Sequence, residues 1–531
     1  MPDASSTPDR RRAGLLIPLF SFPSTSSWGI GDIGDIAPMA GWLAAGGQRA
    51  LQLLPINERS PGQQSPYSAI SAMAIDPVFI RLPDVPDFEA IGGERSLSSG
   101  DRTRLDAVRA SPRIEHEMVR TLKHTALRAA FDRFKEAEWC RDSDRARVLK
   151  MFLSEQAWWI EDYSLFRAIH AREGERPWTE WPIELQRREP AAIDRARREL
   201  SREVLFFQYL QWIATLQWRE ARRRAKGVEL FGDLPFMVDG DSADVWARQH
   251  QFHLDVSLGV PPDAFSATGQ DWGMPVYHWE VVGREDYRWL RERARRSADL
   301  FDGYRVDHLV GFYRTYGRPK HGGEPFFTPP DEWSQQQLGE RLLDIFRSAG
   351  AEIVAEDLGT VPDFVRASLA RLGIPGFRVF RWERYWHTDG QPFRDPMDYP
   401  KASVATSGTH DTEPMALWWE RASDEEKQKV AALPTIQRIS AEKGCTDFAH
   451  APYDTDVRDV LIEALFASGS DLLLLPLQDV FGWRDRINEP ATVGEHNWSF
   501  RLPWPSDRLD DVSEARERQS ALAGWSRKYS R

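Results

Sequence analysis

Residues 301–314, FDGYRVDHLVGFYR, decide how the rest of the chain is interpreted. The first half of this stretch predicts a short buried strand that ends at Asp307. Side chains alternate along a strand, so Arg305 and Asp307 project from the same face, and the guanidinium favours the ionised carboxylate. Such a carboxylate at the carboxyl end of a barrel strand is a candidate nucleophile. On this stretch alone, a helix cap that holds a structural ion pair is the preferred interpretation of Asp307.

Outward from this strand, the sequence alternates between buried strands and helices. The predicted strands span 13–20, 50–56, 228–238, 303–307, 351–359, 376–382, 402–411 and 471–482. Strands that alternate with helices favour a parallel sheet, and this number of them predicts an α/β fold of the (β/α)₈ TIM barrel type. A doubly wound open sheet is the main alternative. No GxGxxG motif follows the first strand, which removes the usual dinucleotide-binding form of that alternative.

Two segments interrupt the alternation. Between the second and third strands, residues 84–226 are rich in Arg and Glu, with apolar residues at three- and four-residue spacings, which predicts a large helical insertion. The helices predicted there span 115–138, 144–170 and 190–226. After the third strand, residues 253–283 are rich in Gly, Pro and aromatic residues, and we expect a long loop at the active site.

The predicted domain organisation follows from these segments. The polar, Pro- and Ser-rich start of the chain favours disorder. The chain is divided into a disordered N-terminus at 1–12, the first part of the catalytic barrel at 13–83, the inserted helical subdomain at 84–226, and the remainder of the barrel at 227–531, which includes 253–283.

Composition limits the classes of partner and the compartment. The net charge of −12 gives no support for binding to nucleic acid or to an anionic membrane. Cys140 and Cys445 lie far apart without CxxC spacing, which favours a reducing compartment over a disulfide framework. The sequence has neither the apolar core of a signal peptide nor an apolar run long enough to span a membrane, so we expect a cytoplasmic protein.

Acidic side chains recur where the predicted strands end. They are Asp233, Asp307, Glu356, Asp357 and Asp411, the last of them preceded by His410. In a barrel the carboxyl ends of all strands meet at one face, so we expect these side chains to converge. Convergent carboxylates with an arginine and a histidine suit glycosidic chemistry, in which one carboxylate attacks the anomeric carbon and a protonated one assists the leaving oxygen. Asp307 has the features of the nucleophile, and Glu356, on an apolar strand that raises its pKa, those of the acid.

Other interpretations of these acids remain. Taken singly, each is more often a helix cap or an ion-pair partner than a catalytic group. Clustered Asp with His also binds divalent metals. However, no HExxH motif occurs, the histidines are scattered, and Arg305 beside Asp307 opposes a cation. We therefore expect no metal and no cofactor.

Several long segments then point to one family. The segments are SPYSAISAMAIDPVFI, FGDLPFMVDGDSADVW, GVPPDAFSATGQDWGMPVYHW, FDGYRVDHLVGFYR, IVAEDLG and SGTHDTEP. Together, over about residues 13–505, they resemble the 4-α-glucanotransferases of glycoside hydrolase family 77, also called amylomaltases or disproportionating enzymes, in the α-amylase clan. The resemblance implies transfer of an α-1,4-glucan segment to the 4-hydroxyl of another glucan or glucose, with retention of configuration through a covalent glycosyl-enzyme.

The resemblance also implies roles for individual positions. Asp307 matches the nucleophile, Glu356 the general acid/base and Asp411 the transition-state stabiliser. The implied substrate-binding residues are Tyr67, Asp233, Asp263, Gln270, Trp272, Arg305 and His410. Trp272 lies on the segment implied to be a mobile loop over the acceptor side.

The resemblance implies malto-oligosaccharides and other α-1,4-glucans as partners. The charge and the lack of an apolar span give the expectation of no nucleic acid and no membrane, and we expect a monomer or homodimer. Residues 486–501, RINEPATVGEHNWSFR, resemble the substrate-side segment of the family, with Ala491 where glycine is expected. Two alternatives remain, an α-glucan hydrolase with the same three acids and a non-catalytic glucan-binding protein. The products formed from maltotriose distinguish the first, and the intact set of Asp307, Glu356 and Asp411 argues against the second.

Overall fold

The computed structural model describes residues 11–262, 269–490, 492 and 494–531. These residues form a closed barrel of eight parallel strands, a smaller antiparallel sheet and many helices. The strands are β1 (Arg12–Leu16), β2 (Ala50–Gln52), β3 (Glu229–Leu234), β4 (Phe252–Val260), β5 (Gln270–Tyr277), β6 (Gly303–Val306), β7 (Thr315–Pro319), β8 (Phe326–Thr328), β9 (Glu352–Ala355), β10 (Gly376–Val379), β11 (Ser403–Thr406) and β12 (Leu472–Pro476).

Helices surround the barrel and fill the segment between its second and third strands. They are α1 (Ile36–Ala45), α2 (Pro86–Ala90), α3 (Ser99–Ala110), α4 (His116–Ala137), α5 (Asp144–Glu155), α6 (Ala157–Arg172), α7 (Ile183–Gln186), α8 (Pro190–Glu199), α9 (Ser201–Arg224), α10 (Ala243–Ala247), α11 (Trp279–Arg284), α12 (Arg288–Leu300), α13 (Val310–Tyr313), α14 (Glu332–Ser348), α15 (Asp363–Leu372), α16 (Met415–Arg421), α17 (Asp424–Ala431), α18 (Pro434–Lys443), α19 (Thr455–Phe466), α20 (Leu477–Phe481) and α21 (Ser513–Lys528). Within the described part of the chain, none of these helices combines the length and the apolar character needed to cross a membrane.

The barrel strands are neighbours in the order β1, β2, β3, β6, β9, β10, β11 and β12, and β12 pairs with β1 to close the ring. The predicted (β/α)₈ barrel is therefore confirmed, and the open sheet is excluded. Strand β12 shows the underlying pattern. Leu472 and Leu474 pack with residues of β2, β3, β9, β10 and β11, whereas Leu473 and Leu475 join the main core outside the barrel. Alternate side chains thus fill the barrel and support the helices around it.

Helices α2 to α9 occupy the predicted insertion between β2 and β3. The apolar face expected on the last of these helices is buried, as Phe206, Leu210 and Ile213 show. The burial follows from their three- and four-residue spacing, which places them on one side of α9. The division of the chain into a separate helical subdomain stays a prediction.

Two helices of this insertion were predicted too long. The predicted helix at 144–170 is divided at Gln156, and the predicted helix at 190–226 is divided at Leu200. At these residues ψ is 8° and 17°, outside the helical range. The Gln156 side chain accepts a hydrogen bond from Trp159 Nε1 at 2.8 Å, at the start of the next helix. The apolar spacing continues through both breaks, which is why the sequence did not reveal them.

Residues 253–283 follow the third barrel strand as predicted, but most of them are not an irregular loop. They contain most of β4, all of β5 and most of α11, and the two strands join β7 and β8 in a sheet ordered β5-β4-β7-β8. The pairing of β4 with β5 shifts register between His253 and Gly259. A Cβ on Gly259 would lie 2.3 Å from the Gln270 carbonyl oxygen. These irregularities, with Pro275 inside β5, remove the alternation that identifies a strand in a sequence.

The predicted disordered N-terminus, 1–12, lies outside the described residues except for its last two. Arg12 begins β1 and forms ion pairs with Glu229 of β3 and Glu352 of β9. This arginine therefore joins the amino ends of three barrel strands, and the boundary predicted after residue 12 is wrong at that residue.

Candidate active site

The candidate active site lies at the carboxyl end of the barrel. The strands and the residues that follow them carry Asp233, Arg305, Asp307, Glu356, His410 and Asp411. Asp233 is in β3 and Arg305 in β6, whereas the others follow β6, β9 and β11. Because all eight strands are parallel, side chains that are far apart in sequence meet at this end.

Arg305 joins two of the acids. Its Nη1 donates to both carboxylate oxygens of Asp233 at 2.8 Å, and its Nη2 lies 2.7 Å from Oδ1 of Asp307. Burial lowers the pKa of Arg305, but Asp233 and Asp307 outweigh it and hold that pKa well above its usual value. Arg305 is buried, whereas 29% of the Asp307 side chain is exposed. The permanently charged guanidinium therefore orients Asp307 while leaving it accessible to a substrate.

Tyr67 connects Asp233 to the other side of the site. Its hydroxyl donates to Asp233 Oδ2 at 2.8 Å and lies 3.0 Å from His410 Nε2. The rings of Tyr67 and His410 stack with their centroids 5.3 Å apart. Burial, then the charge of Asp233, raises the pKa of Tyr67 well above its usual value, so the hydroxyl keeps its proton. Burial also raises the pKa of Asp233 to about 6, although Arg305 opposes this shift.

Asp411 is held in its ionised form. His410 Nε2 lies 3.1 Å from Asp411 Oδ2, and Asn488 Nδ2 donates to Asp411 Oδ1 at 2.6 Å. Burial alone would raise the pKa of Asp411, but His410 and then Asn488 reverse this effect and hold it below the usual range. Burial lowers the pKa of His410, but the interaction with Asp411 outweighs burial, so the net shift of that pKa is upward. With 41% of its side chain exposed, Asp411 remains available to a ligand.

Glu356 has the opposite electrostatic setting. Its Oε2 accepts a hydrogen bond from the backbone N–H of His308 at 2.9 Å, and its Oε1 accepts one from the N–H of Leu358 at 3.1 Å. Burial raises its pKa to about 7, a shift that Arg305 opposes and Asp307 reinforces. A carboxyl with that pKa exchanges its proton readily near neutrality, which is what a general acid/base requires.

Aromatic side chains form the next layer of the site. The His308 ring contacts both Phe236 and Trp272, with centroid distances of 5.2 and 4.9 Å. Burial lowers the pKa of His308 to about 4, so its ring is neutral. Trp272 Nε1 donates to the side chain of Gln270 at 3.0 Å, and Gln270 is exposed. Strand β5 thus reaches the residue that follows Asp307. Asp263, expected in the same segment, lies outside the described residues, as does Ala491.

Sequence reasoning assigned no role to two residues that the structure brings into the site. Asn488 contacts Asp411, as described above, and the Trp498 ring lies 6.0 Å from Tyr67 and 5.8 Å from His410. Both belong to the segment 486–501, whose resemblance to the family was noted without roles for single residues. That resemblance is the signal that pointed to them.

Asp357, named with the acids at the strand ends, belongs to the scaffold. Its Oδ1 accepts the backbone N–H of Phe377 at 2.7 Å, and its Oδ2 pairs with Arg366 and Arg378 at 3.4 and 3.3 Å. These contacts connect the end of β9 to β10 and occupy both carboxylate oxygens of Asp357. A structural ion-pair role therefore fits Asp357, whereas Asp307 and Asp411 keep exposed carboxylate surface.

Comparisons with known proteins cover nearly the whole chain. A family model described as 4-alpha-glucanotransferase matches residues 17–507. The 4-alpha-glucanotransferase of Thermus thermophilus is 33% identical over 530 residues, which cover 96% of this chain and 99% of that protein. The enzyme of that name from Chlamydia pneumoniae is 32% identical over 496 residues, or 92% and 91% of the two chains.

A solved structure agrees with these sequence matches. The amylomaltase from Streptococcus agalactiae in complex with acarbose superposes with a TM-score of 0.80 at 26% identity. The match covers 98% of this chain and 99% of that chain. The similarity in fold therefore includes the barrel and the helices inserted into it.

Proposed function

Because the chain belongs to the 4-alpha-glucanotransferase family, glycoside hydrolase family 77, and is an enzyme of that type, we propose that Asp307, Glu356 and Asp411 carry out its glucan transfer. The observation that carries this assignment is the contrast between two neighbouring carboxyls. Arg305 Nη2 contacts Asp307 at 2.7 Å and leaves that carboxylate partly exposed, whereas burial raises the pKa of Glu356 to about 7. A retaining transfer needs such a pair, one carboxyl to attack and one to move a proton.

The first step breaks the donor linkage. A carboxylate oxygen of Asp307 forms a bond to the anomeric carbon of an α-1,4-glucan, while the bond from that carbon to the glycosidic oxygen breaks. Glu356 gives its proton to the departing oxygen, so the shortened glucan leaves with a free 4-hydroxyl. Asp411, kept ionised by His410 and Asn488, stabilises the positive charge that develops on the sugar ring.

The second step reverses these bonds on a new acceptor. The carboxylate of Glu356 takes the proton from the 4-hydroxyl of another glucan or of glucose, and that oxygen attacks the anomeric carbon. The bond to Asp307 breaks and the free enzyme returns. Two inversions at one carbon retain the α configuration. Tyr67, Asp233 and His410 form a connected polar wall that suits the hydroxyls of the bound sugar.

The substrates we propose are malto-oligosaccharides and other α-1,4-glucans, and the compartment is the cytoplasm. Family membership supports the substrate class. The two free cysteines, exposed Cys140 and half-buried Cys445, support a reducing compartment.

Incubation with maltotriose tests the proposed function against its alternatives. Transfer predicts glucose together with chains longer than maltotriose, separated on a thin-layer plate. Glucose and maltose alone would identify a hydrolase with the same three acids. No product at all would favour a non-catalytic glucan-binding protein.

The pKa of Glu356 predicts how activity depends on pH. Glu356 must carry its proton in the first step, and its pKa is about 7. The protonated fraction is complete below that pKa and is lost above it, so kcat/KM for maltotriose should fall about tenfold per pH unit on the alkaline side. A glycosyl fluoride donor, whose leaving group needs no proton, should lack this alkaline decline in its glycosylation step. A level kcat/KM for maltotriose up to about pH 9 would contradict the assignment.

The position of Trp272 suggests how an acceptor sugar, rather than water, reacts with the covalent intermediate. Its ring lies 4.9 Å from the His308 ring, beside the predicted nucleophile, and it belongs to the segment that we propose covers the acceptor side. Trp272→Ala should admit water and weaken acceptor binding, raising the ratio of hydrolysis to transfer by about three- to tenfold. New reducing ends measure hydrolysis, and longer chains measure transfer. Trp333→Ala, an exposed tryptophan on α14, is the matched control. An unchanged ratio in Trp272→Ala would remove the covering role.

A further inference from the structure

A cavity of about 550 Å³ lies at the amino end of the barrel, opposite the candidate active site. Its wall is formed by the end of α1, the turns before β2 and β3, and α21 with the residues that follow it. Four arginines line it, and we call it the arginine cavity. They are Arg11, Arg49, Arg527 and Arg531. Arg11 and Arg49 each precede a barrel strand, which places the cavity at the end away from Asp307.

These arginines lack acidic partners. In residues 11–262, 269–490, 492 and 494–531, no Asp or Glu carboxylate lies within 4.0 Å of any of the four guanidinium groups. The next residue in the chain, Arg12, shows the contrast, because it pairs with both Glu229 and Glu352. In a protein with a net charge of −12, a group of unpaired cations around one cavity is a local reversal of charge. An anion in the cavity would relieve their mutual repulsion.

Arg531 is the most constrained of the four. It is 5% exposed, its Nε donates to the Phe466 carbonyl at 2.7 Å, and its Nη2 donates to the Ser468 carbonyl at 2.8 Å. Arg11 Nη2 donates to the same Ser468 carbonyl at 2.9 Å, so two guanidinium groups share one acceptor. Arg531 Nη1 is buried without a hydrogen-bond partner among the described residues. A buried charged donor without a partner is costly, and the charge of an anion in the adjacent cavity would offset part of that cost.

Burial and then the charge of Arg11 lower the pKa of Arg531 to about 9, with Asp471 acting in the opposite direction. Arg531 is therefore still charged near neutral pH and is repelled by the charge of Arg11. A phosphate group would provide the negative charge that these arginines lack among the described residues, since guanidinium groups bind phosphate oxygens through paired N–H donors.

The size and polar lining of the cavity indicate more than a free phosphate ion. Its volume falls in the range of roughly 300–1,000 Å³ that is typical of sites for small organic ligands. Gln48, Ser526 and Ser530 line it beside the arginines. Gln48 Nε2 already donates to Gly46 O and Ser526 Oγ, whereas its buried Oε1 has no partner among the described residues. That oxygen is closed to solvent, so the polar side chain of this lining that a ligand hydroxyl can reach is the exposed Ser530.

We propose that the arginine cavity binds a small hydroxylated phosphate ester, the chemistry shared by sugar phosphates and nucleotides. The phosphate lies among the four guanidinium groups, and the hydroxylated part faces the neutral lining. The site is separate from the glucan-transfer site because it opens at the other end of the barrel. It needs neither Asp307 nor Glu356.

Calorimetric titration of the full chain at low salt tests this inference. The probes are glucose 6-phosphate, AMP, inorganic phosphate and glucose. At least one of the two esters should bind more tightly than inorganic phosphate, glucose should not bind at the cavity, and added salt should weaken the ester. The ester that binds more tightly identifies the source. Failure of both esters to bind, or inorganic phosphate binding as tightly as they do, would overturn the proposal.

Variants then locate the binding. Arg49 and Arg527 are exposed and form no ion pair with the part of the chain that the structure describes, so Arg49→Ala and Arg527→Ala should fold normally and keep transfer from maltotriose. Each should weaken ester binding by about tenfold, as expected for loss of a charge-assisted contact. Arg288→Ala, an exposed arginine on α12, is the control and should bind as the parent does. Equal ester binding by all of these variants would place the site elsewhere and refute the assignment.

Discussion

Replacing Asp307 with asparagine is expected to reduce transfer from maltotriose by at least about 10⁴-fold. The amide nitrogen cannot attack the anomeric carbon, and the amide oxygen is a far weaker nucleophile than the carboxylate. The substitution keeps the size of the side chain and removes the charge that Arg305 Nη2 contacts at 2.7 Å. Initial rates of glucose release and of chain lengthening measure the effect.

The Asp307→Asn experiment needs a control for the loss of a carboxylate as such. Asp344→Asn changes an aspartate on α14 whose side chain is 68% exposed, and it should leave the rate unchanged. Thermal unfolding of both variants checks that each is folded. If folded Asp307→Asn kept more than about 1% of the parent rate, another group would have to be the nucleophile.

Replacing Glu356 with glutamine is expected to slow transfer from maltotriose by about 10²- to 10⁴-fold, the usual contribution of a positioned general acid. With a maltosyl fluoride donor, the first step needs no proton, so Asp307 should still be glycosylated. The second step lacks its base, and the covalent intermediate should accumulate. Intact-mass spectrometry should then detect protein heavier by the transferred sugar, a signal that Asp307→Asn cannot give.

Two controls separate this role from a structural one. Both Glu356 oxygens accept backbone N–H groups, so a glutamine places an amide donor against one of them. Glu356→Ala avoids that conflict, and azide, which attacks without losing a proton, should restore its turnover of the fluoride. Glu425→Gln, on an exposed glutamate of α17, should behave as the parent does. Failure of both Glu356 variants to accumulate intermediate or respond to azide would assign the acid/base role elsewhere.

Asp307 and Glu356 show which features of the site can be predicted from the order of residues. The run FDGYRVDH places Arg305 and Asp307 two positions apart on one strand face, and their contact follows from strand geometry. The apolar strand before Glu356 predicts that the pKa of this residue is raised, and burial in the structure raises it. The backbone N–H groups that hold Glu356 come from His308 and Leu358, and the first of these belongs to another strand end. No local sequence pattern predicts the contact between the His308 N–H and Glu356.

The irregular sheet shows where local patterns fail. In β4 and β5 the register shifts around Ser257, and Gly259 sits against the carbonyl oxygen of Gln270. A strand with these features has no regular alternation of apolar and polar residues, so residues 253–283 were predicted as a loop. Pairing partners in other parts of the chain, such as Arg318 in β7, decide its structure.

The sequence by itself determined the barrel, because short, continuously apolar segments alternate with helices. It also determined that acids stand at the strand ends, because closure of parallel strands brings those ends together. Only the tertiary structure decided that Asn488 holds Asp411 and that Tyr67 meets His410 across 343 positions. It also decided that one cavity is lined by four arginines that have no acidic partner among the described residues. These contacts join segments with no shared periodicity, and their energies depend on distance and burial, which residue order does not encode locally.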